Sequence, residues 1–386
     1  MFTDSYFDRG LDRSGTDTVK WDLSRTPAGE PALPMWVADM DFPSPPAVTE
    51  ALIARAMRGT FGYTLVTDRL KEAFSGFWQR NHGLTPEKEW MELLPCVVSG
   101  MKLALRAVTQ PGDPVIIQTP LYGPFAASIK ATGRRVADCP LQKDEAGRYA
   151  MDLAAIEQAL QAGARAFMLC NPHNPVSRRW SREELEALIR LLQPYGAYLI
   201  SDEIHSEFVL EGDFVSVLTL TQQNVLMMTA PSKTFNLAGL QTAFCVCPDP
   251  AVRKRLAEEK EAVGMECGNI FGLTAAEAAY GQGDAWLEGL RHYLLGNRQT
   301  LAETLAREVP GARMSPMEAT YLAWVDFSPL GIDGDTAYAR ALEAGVRFGP
   351  GHDFGENGRN FLRINIGCPR SSVLEAVHRL ARGLNG

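Results

Sequence analysis

The chain has 386 residues, 46% of them hydrophobic and 22% charged, which excludes intrinsic disorder and admits about two domains. A net charge of −8 disfavours nucleic acid as a partner, because phosphate backbones are held by basic surface. No apolar run reaches the roughly 20 residues needed to cross a bilayer, and the opening stretch, with Asp4 and Asp8, does not read as a secretory signal. No membrane partner and a cytoplasmic setting are therefore expected.

Residues 1–45 read as an irregular arm rich in Pro, Asp and Trp, ended by Pro43-Ser44-Pro45-Pro46. A helix follows over 47–57, with Val48, Leu52 and Ala56 on one stripe, and another over 70–81 carrying Leu70, Phe74, Phe77 and Trp78. From about 95 onward, short apolar runs alternate with helical stretches. Runs at 114–118, 166–170, 198–201, 225–229 and 243–246 read as buried strands; 100–108, 181–193 and 249–262 read as helices. That alternation predicts a mainly parallel sheet covered on both faces. Ser181 and Glu184 form a capping-box pattern. After about 290 a long helix, strands at 321–327 and 361–366 and a closing helix at 371–384 predict a smaller α+β unit. The expected division is an arm (1–45) joining the small domain, a large domain (46–288) and a small domain (289–386). Seven cysteines, an odd number spread along the chain, suit a reducing compartment, and the pair Cys245 and Cys247 reads as core. The six histidines show no metal-binding spacing, so no metal is expected.

Four motifs carry chemistry. Lys233 lies in Ala230-Pro-Ser-Lys-Thr-Phe-Asn-Leu-Ala-Gly239, a polar turn after a strand. Asp202, in Leu199-Ile-Ser-Asp-Glu-Ile-His205, ends an apolar strand and sits at the sheet edge where open α/β folds bind ligands. Asn171-Pro172 and Asn174-Pro175 form a rigid turn after another strand. Ser99-Gly100-Met101 opens a helix and offers backbone N–H groups to an anion. Each has a plain structural reading by itself: a surface lysine, a turn-capping Asp, a structural turn, a capped helix. Their combination and order are far more specific.

In that order the motifs resemble the fold-type I pyridoxal-phosphate enzymes, the aminotransferase class I/II family, along essentially the whole chain. Leu33-Pro-Met-Trp-Val-Ala-Asp-Met-Asp-Phe42, Phe61-Gly-Tyr-Thr64, Asp202-Glu-Ile-His205, Pro231-Ser-Lys-Thr-Phe-Asn236 and Phe361-Leu-Arg-Ile-Asn-Ile366 are similar to its MalY/PatB branch of cystathionine β-lyases. The resemblance implies an aspartate-aminotransferase-like α/β fold, with a mainly parallel seven-stranded sheet and a smaller α+β domain.

It also implies roles. Lys233 would carry the cofactor as a Schiff base and move the proton at Cα, which a desolvated amine favours. Asp202 would face the pyridine nitrogen, Asn174 the ring O3′, and His205 would support the same region. Tyr122 would stack on one ring face. Ile204, taken to share the strand face of Asp202, would pack beneath the other. The Gly100 and Met101 amides and the Ser99 and Ser232 hydroxyls would hold the phosphate, with Tyr63 reaching the phosphate of a neighbouring subunit in a homodimer with shared sites. Arg363 would clamp the substrate carboxylate bidentately, with Val37 and Ala38 on its other side through their backbone and Trp36 in packing. Gly239-Leu-Gln241 departs from the wider family's phosphate-binding arginine but matches the branch. Ser177, where a glycine is usual, puts the loop after Asn174 in doubt.

The implied reaction is α,β-elimination from L-cystathionine or a related L-cysteine S-conjugate to pyruvate, ammonia and a thiol. The alternatives are an aminotransferase with a 2-oxo acid acceptor and a protein-binding surface role. The substrate side-chain pocket is expected from the arm, the Tyr122 loop and residues 265–272.

Overall fold

A computed structural model describes residues 2–265 and 267–385; Glu266, within the expected 265–272 pocket segment, lies outside the described residues. The larger sheet has seven strands in the spatial order Met91–Leu94, Ala243–Val246, Val225–Thr229, Tyr198–Asp202, Ala166–Cys170, Pro114–Ile117 and Arg135–Asp138. Ala243–Val246 is antiparallel to both its neighbours, and the remaining pairs are parallel.

The strands are apolar throughout because the sheet has a core on each face. Phe167, Leu169, Leu199 and Met227 pack into one core; Met168, Cys170, Ile200 and Met228 pack into the other. This is the two-residue alternation of a strand with helices on both sides. Cys245 and Cys247 are buried free thiols in the second core.

The expected helices form with small changes of boundary. Thr67 caps Asp68–His82 by accepting from the Leu70 amide, and Ser181 and Glu184 close the capping box of Arg182–Leu192. One change matters for the site. The helix expected at 100 starts three residues earlier and spans Val97–Val108. Gly100 belongs to its packed face: a Cβ there would lie 2.4 Å from Leu94 Cδ1 and 3.2 Å from Met228 Sδ. Glycine thus serves close helix–sheet approach rather than the helix start.

The smaller sheet has the order Leu33–Met35, Val346–Pro350, Phe361–Asn365, Leu322–Asp326, Arg313–Met314. The arm is therefore not wholly irregular. It contains the turns of helix Asp4–Phe7 and Val19–Asp22, and Leu33–Met35 pairs in parallel with Val346–Pro350. Strand formation there depends on a partner more than 300 residues away, beyond the reach of local pattern. Asp284–Glu308 is a single helix of 25 residues, so position 289 falls inside it.

Asn297, buried on that helix, donates from Nδ2 to the carbonyls of Ile366 (2.9 Å) and Cys368 (2.8 Å), just beyond the strand that carries Arg363. Asn297→Leu leaves both carbonyls without a donor and should lower unfolding stability by roughly 2–4 kcal/mol, read as a lower urea midpoint at unchanged slope.

Candidate active site

The carboxyl ends of the central strands open into a cavity of about 590 Å³ between the two sheets. Its lining includes Trp36, Val37, Ala38, Tyr122, Asn174, Asp202, His205, Ser232, Lys233 and Arg363, contributed by the arm, the large sheet and the small sheet.

Lys233 follows strand Val225–Thr229 directly. Ala230 is extended, and Pro231 starts the single helical turn Pro231–Thr234. The amine donates to the Ala38 carbonyl at 2.5 Å. Burial pushes its pKa down to about 8; Arg363 acts in the same direction, while Asp39 and Asp202 oppose it. The turn is tied to the arm by Asn236, which accepts from the Met40 amide (3.0 Å) and donates to the Met40 and Phe42 carbonyls (2.9 and 3.0 Å). On the other side, Thr234 donates to the buried Glu207 carboxylate (2.7 Å), whose second oxygen lies 3.1 Å from His82 Nε2. Asn236 and Glu207 both position the lysine turn. Asn236 stood in the quoted motif without a role; nothing in the sequence pairs Glu207 with Thr234.

Asp202 is the last residue of its strand and only 6% exposed. Burial lifts its carboxyl to about 7, against the opposing influence of the Ile204 amide and Lys233. That amide donates to Asp202 Oδ1 at 3.1 Å, so Ile204 lies in a turn beyond the strand. The expected shared strand face is corrected, although Ile204 still lines the cavity. His205 is buried and held near pKa 3, chiefly by desolvation, so its ring is neutral. Its Nδ1 has no hydrogen-bond partner among the described residues, and its ring meets Tyr321 edge-on at 5.7 Å.

Arg363 lies in a central strand of the smaller sheet, and all five residues of Phe361–Asn365 are buried. Both faces of that strand are covered, which is why Phe361 and Ile364 do not alternate in the sequence. Its guanidinium donates to Asn174 Oδ1 (3.1 Å) and the Trp36 carbonyl (2.6 Å) and rests over the Phe354 ring at 4.7 Å. Burial lowers its pKa to about 10, which leaves it charged at neutral pH. The arm is held further by Asn365, which donates to the Val37 (2.5 Å) and Asp39 (2.7 Å) carbonyls, and by the Tyr321 hydroxyl on Ala38 (3.2 Å). Trp36 is a packing residue with the Arg347 guanidinium 3.9 Å over its ring.

The free helix-start amides lie earlier than expected. With the helix starting at Val97, the Gly100 amide donates to the Cys96 carbonyl (3.0 Å), and Met101 is buried in the core. Their N–H groups are taken up in the helix, so the expectation for Gly100 and Met101 is corrected. The amides of the first turn, Val97, Val98 and Ser99, precede the first intrahelical bond and are the ones an anion can use. Ser99 sits inside this turn and outside the cavity lining, with its hydroxyl donating to the Cys96 carbonyl (2.9 Å), so the expected hydroxyl contact is corrected as well. Ser232 and Gln241 line the same cavity.

Tyr122, partly exposed at the mouth, donates its amide to the Asn174 carbonyl (3.2 Å). Ser177 does take a left-handed conformation (φ 57°), and its hydroxyl bonds Thr320 Oγ1 (2.9 Å) and the Leu322 carbonyl. Buried hydrogen bonds to the smaller sheet offset the strain that serine brings there. None of the described residues of the 265–272 segment lines this chain's cavity; Asp353 and Phe354 do. Tyr63 is 97% exposed and outside it.

The family model for aminotransferase class I and II matches residues 33–380. The chain is 38% identical to cystathionine beta-lyase PatB of Bacillus subtilis, over 98% of this chain and all of the relative. It is 32% identical to Protein MalY of Escherichia coli over 98% of each. Among solved structures, the PLP-bound C-S lyase from Staphylococcus hominis superposes with a TM-score of 0.89 at 28% identity, over 98% of each chain.

The Asp202 carboxyl gives a pH test on protein prepared without any bound ligand. An unfolded Asp titrates near 3.8 and the folded one near 7, so between these values the folded state holds the extra proton and stability falls as pH rises. Above 7 the cost is complete, on the order of 4 kcal/mol. Asp202→Asn should therefore be little changed in urea midpoint near pH 4 and clearly more stable than the unaltered protein at pH 8.

Proposed function

Because the chain belongs to the aminotransferase class I and II family, we propose that it is a pyridoxal-phosphate-dependent carbon–sulfur β-lyase. It cleaves L-cystathionine or a related L-cysteine S-conjugate to pyruvate, ammonia and a thiol. The observation that carries the reading is one cavity holding a desolvated lysine amine, a strand-end carboxylate and a buried guanidinium, in a chain alike over its full length to a cystathionine β-lyase.

The donor set fits pyridoxal phosphate. The Asp202 carboxylate, costly to ionise alone, would be stabilised by a cationic ring nitrogen. The free amides of the first helical turn from Val97 would hold the phosphate, with Val97, Val98 and Ser232 lining the cavity. Gln241 takes the place of a phosphate-binding cation and offers only a hydrogen bond. Asn174 holds Arg363 with its Oδ1, leaving its amide nitrogen for the ring O3′. Tyr122 offers an aromatic face for stacking, and the neutral His205 adds no competing charge near Asp202.

Bound pyridoxal phosphate supplies an electron sink for the carbanion that forms at Cα. Lys233, its amine pushed toward the neutral form, removes the Cα proton of the substrate. Arg363 binds the α-carboxylate, with its orientation fixed by Asn174 and Trp36, and so sets the direction of the Cα–H bond. The Val37 and Ala38 backbone closes the arm side of the cavity and limits water. The β-thiolate then departs, and hydrolysis of the remaining three-carbon fragment gives pyruvate and ammonia.

The enzyme acts in the cytoplasm as a homodimer with shared sites. Phe61, Tyr63 and Leu65 support the dimer: they are 60%, 97% and 84% exposed on one strip of chain, an apolar surface that a second copy would cover.

The test is pyruvate release from L-cystathionine by cofactor-loaded protein without added 2-oxo acid. Pyruvate and thiol in equal amounts, lost in Lys233→Ala, are expected; amino transfer only after an oxo acid is supplied would establish the aminotransferase instead. Arg363→Lys loses bidentate geometry and should raise KM by about tenfold or more, with a smaller effect on kcat.

A further inference from the structure

The charged side chains lining the cavity, among the described residues, are Asp202, Lys233, Arg363 and Asp353. The proposed reaction uses three of them, for the cofactor nitrogen, the Cα proton and the substrate carboxylate. Asp353 is left over. It lies in the turn Gly351–Phe354, between the strand paired with the arm and the strand that carries Arg363. Its neighbour Phe354 supplies the ring against the Arg363 guanidinium.

Asp353 marks the outer end of the cavity. Its side chain is 63% exposed, whereas Arg363 is 6% exposed. A Cβ on Gly123, next to Tyr122, would lie 3.2 Å from the Asp353 carbonyl oxygen, so the two rims of the mouth meet there. The Asp353 charge reaches the Arg363 guanidinium, opposing the fall in that group's pKa, and the titratable side chain beside the Asp353 carboxylate is His352, with Nε2 3.5 Å away and Nδ1 2.5 Å from Asp335. No lysine or arginine pairs with Asp353 among the described residues.

A substrate anchored by its α-carboxylate on Arg363 has buried protein behind it. A group beyond its sulfur would lie toward the open side of the cavity, which Tyr122, Gly123 and Asp353 line. Bound pyridoxal phosphate would take up the α-amino group, so a cation matched to the Asp353 carboxylate would belong to the leaving group. We propose that Asp353 is a specificity-determining residue that favours thioethers carrying an ammonium beyond the sulfur, as in the homocysteine half of L-cystathionine, over S-alkyl or anionic conjugates. The inference rests on the lyase reading and deepens it.

The experiment uses cofactor-loaded enzyme and pyruvate release from L-cystathionine, S-ethyl-L-cysteine and S-carboxymethyl-L-cysteine. Asp353→Asn should lower the ratio of kcat/KM for L-cystathionine over S-ethyl-L-cysteine about fivefold through KM, the scale of one solvent-exposed charge pair. Asp353→Lys should lower it further and raise the relative use of S-carboxymethyl-L-cysteine. Unchanged ratios in both variants would overturn the proposal, as would an equal loss on all three substrates, which would place the effect on the shared α-carboxylate through Arg363. No pyruvate from any substrate with the unaltered enzyme would defeat the lyase reading itself and this inference with it.

Discussion

The buried Arg363 guanidinium joins three parts of the chain that are remote in sequence. It stands on the smaller sheet, donates to Asn174 at the edge of the larger one and to the Trp36 carbonyl of the arm. A charge placed so deeply is stable only with partners, and those partners are the walls of the cavity. Removing the arm would leave the cation without a carbonyl and the cavity without its closing side. The same arm receives Lys233 at the Ala38 carbonyl and Asn365 at the Val37 carbonyl, so the positions of the guanidinium and of the lysine amine are set together.

Desolvation then gives these groups their chemistry. One cause moves Lys233 and Arg363 down and Asp202 up. Each shift suits the proposed reaction differently: an amine able to take a proton, a cation that stays charged, and a carboxylate that would gain from a cation brought beside it. The buried arrangement of Glu207 with Thr234 and His82, and of Asn236 with the arm, keeps the lysine turn in place. Rigid support behind the reacting groups keeps them in productive geometry.

Much of this was legible in the residues. The apolar runs at 166–170 and 225–229 named their strands because both sheet faces are covered, and the Ser181–Glu184 pattern named its helix start. Lys233, Asp202, Asn174 and Arg363 were found by motif and converge on one cavity. The errors share a cause. Ser99-Gly100-Met101 reads as the opening of a helix with free N–H groups, but the close packing of Leu94 and Met228 against Gly100 places it one turn inside. The arm hid a strand whose partner lies near the other end of the chain. Ile204 was assigned to a strand face that ends two residues before it.

The sequence by itself determined the alternation of strands and helices, the chemical types available and the family to which the chain belongs, since these depend on local periodicity and on short motifs. Tertiary structure alone decided which helix amides are left free at the cavity, which carbonyls hold Lys233 and Arg363, and that Asp353 stands at the mouth. Those facts come from packing between segments far apart in the chain, and local pattern carries no record of which distant surface will remove a group from water.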